Sequence, residues 1–587
     1  MTEELLARAR AWLEEDPDPV TREELQRCMQ GCTETGDEAP LIERFAGPLE
    51  FGTAGLRAVV GAGESCMNRV IVARASWAVG THLLAAFGDA RERGVVLGCD
   101  ARLSSASFSE EAACVFASLG IRVHLFAQAI PTPMVAYAVR HLQAAAGVVV
   151  TASHNPPQYN GYKVFWRNGA QIIPPTDGSI AALFCNAPAY KMLRSVELAA
   201  ARQRGLIVSV PEAVTTNYVA GARALVPKPV LKLGSQPDLT LRIVYTPLHG
   251  VGGVWVLRLL GDAGFKNVCV EPSQFEPDGR FPTVAFPNPE EKGSMDRVLD
   301  LARAKQADLV LANDPDADRL AVAARTKQGE YVQLTGNEVG LLLAHYLLKS
   351  DPGERKLVIN TIVSSPLLLR MAAAQHVRAE QTLTGFKWIA NRAMDLEREE
   401  NQRFILGYEE ALGYSCGTLV RDKDGISAAL VFSMMAATLK TTDRSVLDEL
   451  EVIYRAYGYF ASDQVNIVRP GVAGKAELDS LMARLRGAPP ERIGTFEVTS
   501  RFDVLSSIRY AGKEEQPLPL PKSDVLGFDL SGGHRILVRP SGTEPKVKCY
   551  FDVYDSFAEG ESLETVRGRA IVTLTQLKAE LSTVLGV

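Results

Sequence analysis

Nowhere in the 587-residue chain does an apolar run reach the roughly eighteen residues that a membrane-spanning helix requires. Nor is there a basic excess. Sixty-three lysines and arginines face 69 aspartates and glutamates, a formal charge of −6, so counterion release cannot drive nucleic acid binding as the main activity. The nine cysteines are odd in number and scattered. Cys28 and Cys32 lie four apart, but no second pair or nearby histidine completes a zinc site, and free thiols fit a reducing cytosol. The opening segment MTEELLARARAWLEEDPD has the pattern of an acidic amphipathic helix rather than a secretory signal, so a cytoplasmic protein is expected, with no membrane partner. No short-period repeat suggests a solenoid. No Gly-Lys pair precedes Ser or Thr, which excludes a Walker phosphate loop. GVGGVW (250–255) follows a strand, but Trp255 stands where a dinucleotide fingerprint needs Gly or Ala. A nucleotide-binding oxidoreductase is therefore the weaker reading.

What the chain does have is length and alternation. Its length exceeds what one hydrophobic core supports, and several domains are expected. Strand-like runs alternate with helical patterns: GVVLGCD (94–100), then SFSEEAACVFASLG, IRVHLFA, AAAGVVV (144–150), LRIVYTP (241–247), ADLVLAND (307–314), KLVIN (356–360) and RFILGYEE (403–410). Such alternation predicts α/β units with buried sheets. The final stretch differs. GTFEVTSRFDVLSSIRY and HRILVRPSGTEPKVKCYFDVY read as strands ahead of the helix ETVRGRAIVTLTQLKAELSTVL, a separate α+β domain. Boundaries near 206, 326 and 458 give segments 1–206, 207–326, 327–458 and 459–587.

Four loops carry chemistry. In the first, AAAGVVV runs into Thr151-Ala152-Ser153-His154-Asn155-Pro156-Pro157, a strand end that presents a serine beside a histidine and then stiffens the chain with two prolines. Taken alone, the Ser-His pair fits an ordinary capped turn. In the second, LANDPDADRLAV (311–322), Asp314, Asp316 and Asp318 alternate after an apolar strand. In an extended segment that spacing puts three carboxylates on one side, where they repel unless a cation neutralises them. Oxygen-only ligands select Mg²⁺ or Ca²⁺. An EF-hand is excluded, since Arg319 and Arg325 stand where its Gly and Glu should be. In the third, Arg539-Pro540-Ser541-Gly542-Thr543 joins a guanidinium to two hydroxyls and a glycine amide, a combination that suits a phosphate dianion. The fourth, FILGYEEALGY (404–414), places Glu409 and Glu410 directly after a strand; alone, the pair reads as a solvated face.

Together these loops resemble the α-D-phosphohexomutase superfamily of phosphoglucomutases and phosphomannomutases. TASHNP, the D-x-D-x-D-R loop and FGTAGLR (51–57) occur in the family's order over nearly the whole chain. The resemblance implies an α/β protein of four domains around a central cleft, three of one mixed α/β fold and a C-terminal α+β phosphate-binding domain. It also implies roles. Ser153 would carry the phosphoryl group, with Asp314, Asp316, Asp318 and a phosphoserine oxygen holding one Mg²⁺. Arg57 and Arg319 would lie near the transferring phosphoryl group, and Lys163, helped by His154, would act as general acid/base. Arg539, Ser541, Gly542 and Thr543 would grip the phosphate that does not react. Glu409 and Glu410 would face the sugar, while Gly385 and Lys387 of TGFKW and Lys423 of RDKDG match further substrate loops. The implied activity is an intramolecular phosphotransfer through a sugar bisphosphate, which is both intermediate and activator, on a small phosphosugar.

One departure concerns the sugar. Many hexose-specific relatives carry Glu-Glu-Ser where this chain has Glu409-Glu410-Ala411, the loss of a hydrogen-bond partner worth on the order of 1 kcal/mol. GYEEALGY and DKDGISAA look closest to the branch with animal phosphopentomutase and glucose-1,6-bisphosphate synthase. Glucose 1-phosphate to 6-phosphate interconversion is the first expectation, a pentose phosphate the second and mannose phosphate the third. A phosphatase or kinase, or a non-catalytic sugar-phosphate sensor, are the other classes. Oligomeric state is not legible in the sequence.

Overall fold

The computed structural model describes residues 2–52, 55–227, 236–469, 471–512, 514–541 and 546–586. The chain divides into two compact units, Met1–Gly336 with Ala411–Asp443, and Asn337–Glu410 with Arg444–Val587.

The first unit holds two mixed sheets. In one, the strands run in the order Leu56–Val59, Tyr159–Trp166, Ala146–Val150, Val95–Cys99, Val123–Leu125, Ile207–Ser209. The last four are parallel to one another, and Tyr159–Trp166 is antiparallel to both of its neighbours. Ala146–Val150 is buried along its whole length because helices cover the sheet, which is why its sequence is continuously apolar rather than alternating. Helices Ser105–Ser118 and Thr132–His141 pack on Val95–Cys99. In the other sheet, Ile243–Thr246 and Leu309–Ala312 run parallel, and Ala321–Arg325 returns antiparallel. Helix Gly425–Lys440 joins this unit against helix Gly253–Asp262. Its N-cap is the buried Asp424, which accepts the amides of Ile426 and Ser427 at 3.1 Å each and the Tyr218 hydroxyl.

In the second unit, strands Arg378–Thr382, Lys356–Thr361 and Arg403–Glu409 are parallel, with helix Phe386–Glu399 packed on them. The C-terminal part is an antiparallel sheet that includes Tyr459–Val468, Lys546–Asp555, His534–Pro540, Leu526–Leu530 and Phe496–Asp503. Helices Gly471–Gly487 and Leu563–Leu585 contact it. Ile362, Val363, Leu383, Phe502, Leu537 and Tyr550 form one apolar cluster between the parallel strands' loops and this sheet. The α/β expectation holds, with three α/β sheets and one antiparallel α+β sheet. Among the described residues no helix is long and apolar enough to cross a membrane.

Several strands were not expected from the sequence, Tyr159–Trp166 and Tyr459–Val468 among them. Tyr159–Trp166, which carries Lys163, follows the double proline almost at once. Tyr459–Val468 ends the antiparallel sheet.

Candidate active site

Ser153 sits just past the carboxyl end of Ala146–Val150, and Asp314 just past that of Leu309–Ala312, the end of a parallel strand where α/β sheets bind ligands. Ser153 is 2% exposed and adopts φ +53°, a left-handed conformation that a non-glycine residue holds only when its surroundings impose it. Its amide donates to Thr151 Oγ1 at 2.8 Å. Its hydroxyl donates to Asp314 Oδ2 at 2.8 Å, and His154 Nδ1 lies 3.4 Å from Ser153 Oγ. The structure thus brings the serine loop and the acidic loop together.

The three aspartates do converge, but not as an extended strand. Residues 314–318 form a turn with Ala317 at φ +55°, and the Ala317 amide donates to the Asp314 carbonyl. Turn geometry, not period-two alternation, gathers the carboxylates. All three are buried, and one oxygen of each lies within 4.8 Å of the others. Lys163 Nζ donates to Asp316 Oδ2 at 2.7 Å and to Asp318 Oδ2 at 2.9 Å. Thr132 adds its hydroxyl to Asp316 Oδ2 at 2.6 Å. Among the described residues, Asp316 Oδ1 and Asp318 Oδ1 have no hydrogen-bond partner, although both are buried. A buried carboxylate oxygen left unmatched is expensive unless a cation meets it. This oxygen-only donor set, with the Ser153 hydroxyl beside it, fits a hard divalent cation such as Mg²⁺.

Charge follows the same geometry. Burial, with the charges of Asp316 and Asp318, pushes Asp314 well above the carboxylate range. Burial acts upward on Asp316 and Asp318 too, yet Lys163 holds both below it, assisted at Asp318 by Lys423. Burial alone would lower the Lys163 ammonium; the two aspartates outweigh it and the net shift is upward. His154 is kept neutral by burial and by the positive charges of Arg319 and Arg57.

Lys423 reaches this cluster although it lies more than a hundred residues on in the chain. Its Nζ stands 3.4 Å from Asp318 Oδ2 and 3.5 Å from Asp422 Oδ1. Arg319 donates its amide to Asp314 Oδ1 at 3.0 Å and its Nη1 to the Ala411 carbonyl at 2.7 Å. Arg57 is exposed and donates to Asn155 Oδ1 at 3.0 Å. The glycines of GVGGVW serve packing. A Cβ on Gly250 would come within 2.4 Å of Pro315 Cα, one on Gly252 within 2.8 Å of Ala317 Cβ, and the Val251 amide donates to the Pro315 carbonyl at 2.8 Å. They press this turn against the acidic loop.

The second unit gathers another set. The Gly385 amide donates to Glu409 Oε1 at 2.6 Å, with Gly385 at φ +114°, where a side chain would be strained. Lys387 is buried in the first turn of the helix that follows, its Nζ 5.7 Å from the Trp388 ring centroid. Arg539 Nη1 donates to the Thr384 hydroxyl. Glu410 Oε2 accepts from Ser364 Oγ at 2.8 Å and Thr361 Oγ1 at 3.1 Å. Ser541 donates its amide to the Lys546 carbonyl at 2.8 Å. Gly542 and Thr543 lie outside the described residues. Thr132 and Thr384 were missed in the sequence, because nothing local marks a lone threonine whose partner is distant.

Four segments match the Phosphoglucomutase/phosphomannomutase descriptions in order: alpha/beta/alpha domain I over residues 48–191, domain II over 218–329, domain III over 335–455 and the C-terminal domain over 495–567. A Mus musculus chain named phosphopentomutase is 35% identical, covering 92% of this chain and 89% of its own. A Staphylococcus epidermidis phosphoglucomutase is also 35% identical, covering 86% of this chain and 90% of its own. The solved structure of a Phosphoglucomutase/phosphomannomutase family protein from Burkholderia thailandensis matches with a TM-score of 0.63 at 19% identity, over 91% of this chain and 97% of that one, a likeness of fold.

Proposed function

The chain belongs to the phosphoglucomutase/phosphomannomutase family, whose members are intramolecular phosphotransferases, and on that premise we propose that Ser153 carries the phosphoryl group that the enzyme moves between two positions of a sugar phosphate. One observation carries the reading: a buried, conformationally strained serine whose hydroxyl donates to Asp314 inside a cluster of three aspartates and two lysines. A capped turn needs none of this.

Phosphoryl transfer is mostly positioning and charge neutralisation. The phosphoserine gives its phosphoryl group to the free hydroxyl of a sugar monophosphate; the Ser153 O–P bond breaks and a sugar O–P bond forms, giving a bisphosphate. Return of the other phosphoryl group to Ser153 leaves the isomeric monophosphate. Lys163, protonated at Nζ beside Asp316 and Asp318, is the group that gives and recovers the proton of the reacting oxygens. Asp314, Asp316 and Asp318 would hold Mg²⁺, which would neutralise charge on the group in transit. Arg319 and Arg57 add positive charge near Ser153. Arg539 and Ser541 are assigned to the phosphate that does not react, and Glu409 to the sugar hydroxyls.

For the sugar, glucose 1-phosphate is the first reading. A pentose 1-phosphate is the second, supported by Ala411 and by the broader coverage of the phosphopentomutase relative. Incubation with glucose 1,6-bisphosphate is expected to raise the intact mass by one phosphoryl group, in the wild type but not in Ser153→Ala. Comparing kcat/KM for glucose, mannose, ribose and deoxyribose 1-phosphates then fixes the sugar. Release of inorganic phosphate in place of isomer would mark a phosphatase, and a wild type that never gains the mass would end the phosphoserine reading.

A further inference from the structure

Arg102 is 3% exposed and takes no part in the chemistry above, yet four of its guanidinium's five bonds go to carbonyls of the serine loop. Nη2 donates to the carbonyls of Ser153 at 2.8 Å and Asn155 at 2.5 Å. Nη1 donates to those of Pro156 at 2.8 Å and Tyr159 at 2.9 Å. Nε donates to Asp100 Oδ2 at 3.2 Å. These five bonds use every donor a guanidinium has. Asp100 is buried as well, and it accepts Thr151 Oγ1 at 2.6 Å and Ser105 Oγ at 2.5 Å. From the other side, the Phe281 ring lies 5.0 Å from the guanidinium carbon. A Cβ on Gly279 would come within 2.5 Å of the Ala101 carbonyl, so the chain at 279–281 closes directly over Arg102.

We propose that Arg102, oriented by Asp100, is a positioning residue that holds the strained backbone of Ser153 and so aims its oxygen at the acidic loop. A residue at φ +53° relaxes toward negative φ unless something holds it, and here the Ser153 carbonyl is held by one prong of a planar fork. The other prongs fix the loop on either side of the double proline. A planar fork with donors in fixed directions can do this; an ammonium with three donors on a flexible stem cannot. Lysine at 102 would keep the charge opposite Asp100 and leave carbonyls of the loop unmatched, the buried one of Ser153 or its half-buried neighbours. The loop would then shift by an amount that packing barely notices and phosphoryl transfer does, since misplacing a reacting group by about 1 Å costs about a hundredfold in rate.

This inference rests on the phosphoserine reading, and two measurements on folded Arg102→Lys enzyme separate the two. Hydrogen exchange needs no activity: amides within 153–159 are expected to exchange about tenfold faster than in wild type, with those of Ala146–Val150 unchanged. In kinetics, kcat and the rate of Ser153 phosphorylation by glucose 1,6-bisphosphate are expected to fall about a hundredfold, while KM for the sugar monophosphate stays within about threefold. Unchanged loop exchange, or a kcat loss matched by an equal rise in KM, overturns the role of Arg102. If wild type itself carries no phosphate on Ser153, the phosphoserine reading falls and loop exchange alone decides on Arg102. Should Arg102→Lys not fold, Asp100→Asn removes the charge that orients the fork; it is expected to show the same pattern, and normal loop exchange in it overturns the proposal equally.

Discussion

Ala411, expected from the family resemblance to replace a serine carried by many hexose-specific relatives, has a carbonyl that accepts from Arg319, the residue that also bonds Asp314. The position therefore lies close to the acidic cluster, and it offers a test of whether sugar choice separates from phosphoryl chemistry. Ala411→Ser restores a donor and an acceptor at little change in volume. Discrimination is a difference of transition-state affinities, and one hydrogen bond supports about a fivefold to tenfold shift. The variant is expected to favour glucose 1-phosphate over ribose 1-phosphate by that factor more than wild type, read as a ratio of kcat/KM values. Phosphorylation of Ser153 by glucose 1,6-bisphosphate is expected to change far less. Equal losses on both sugars would make Ala411 a packing residue, and an unchanged ratio would turn its side chain away from the sugar.

Turns are where this protein's local sequence and its long-range structure part company. Strand ends were legible, because continuous apolar runs that stop at Ser153 and Asp314 signal buried parallel strands feeding loops. Tyr159–Trp166 was not, since Asn160-Gly161 is a turn dipeptide in most settings. Here Gly161 sits in mid-sheet between Leu56 and Thr151, whose carbonyls would each lie 2.6 Å from a Cβ, so the glycine marks close approach instead. Tyr459–Val468 escaped notice because it pairs on one side with Lys546–Asp555 and keeps polar residues exposed. Lys423 beside Asp318, and Arg102 on four carbonyls, are contacts between distant segments that no local pattern encodes. The same logic makes Gly250 a test of the element. Its Cβ would meet backbone, which cannot swing aside like a side chain, so Gly250→Ala must displace the acidic turn. A loss of about 1–3 kcal/mol in denaturant melts is expected, together with weaker Mg²⁺ binding. Full Mg²⁺ affinity in a destabilised variant would show that the two loops are not mechanically joined.

Across the molecule, the candidate site residues are partitioned by unit. Ser153, the three aspartates, Lys163, Arg319 and Lys423 all belong to the first, while Gly385, Lys387, Glu409 and Arg539 belong to the second. If the aspartates hold Mg²⁺ as proposed, the ion would stabilise the first unit, and because it would bind only the folded arrangement it should raise the melting temperature. At a concentration a hundredfold above its Kd the gain is about 2.7 kcal/mol. The size of that gain should depend on pH through Asp314. A carboxyl whose folded pKa lies above its unfolded value stabilises the fold while protonated, and that contribution disappears as pH rises through the folded pKa. Proton and metal compete for the same oxygens, so Mg²⁺ must displace the proton at lower pH and meets a bare carboxylate at higher pH. Calorimetric melts with Mg²⁺ and with a chelator, compared at an acidic pH and at a higher one, should then show a larger metal-induced shift at the higher value, the chelated protein losing stability over that rise. Asp314→Asn, neutral at both values, should show a small shift that does not change with pH. A full shift at both pH values in wild type would mean that Asp314 binds its proton no more tightly than an ordinary carboxyl, and no shift at either would remove the metal from these aspartates altogether.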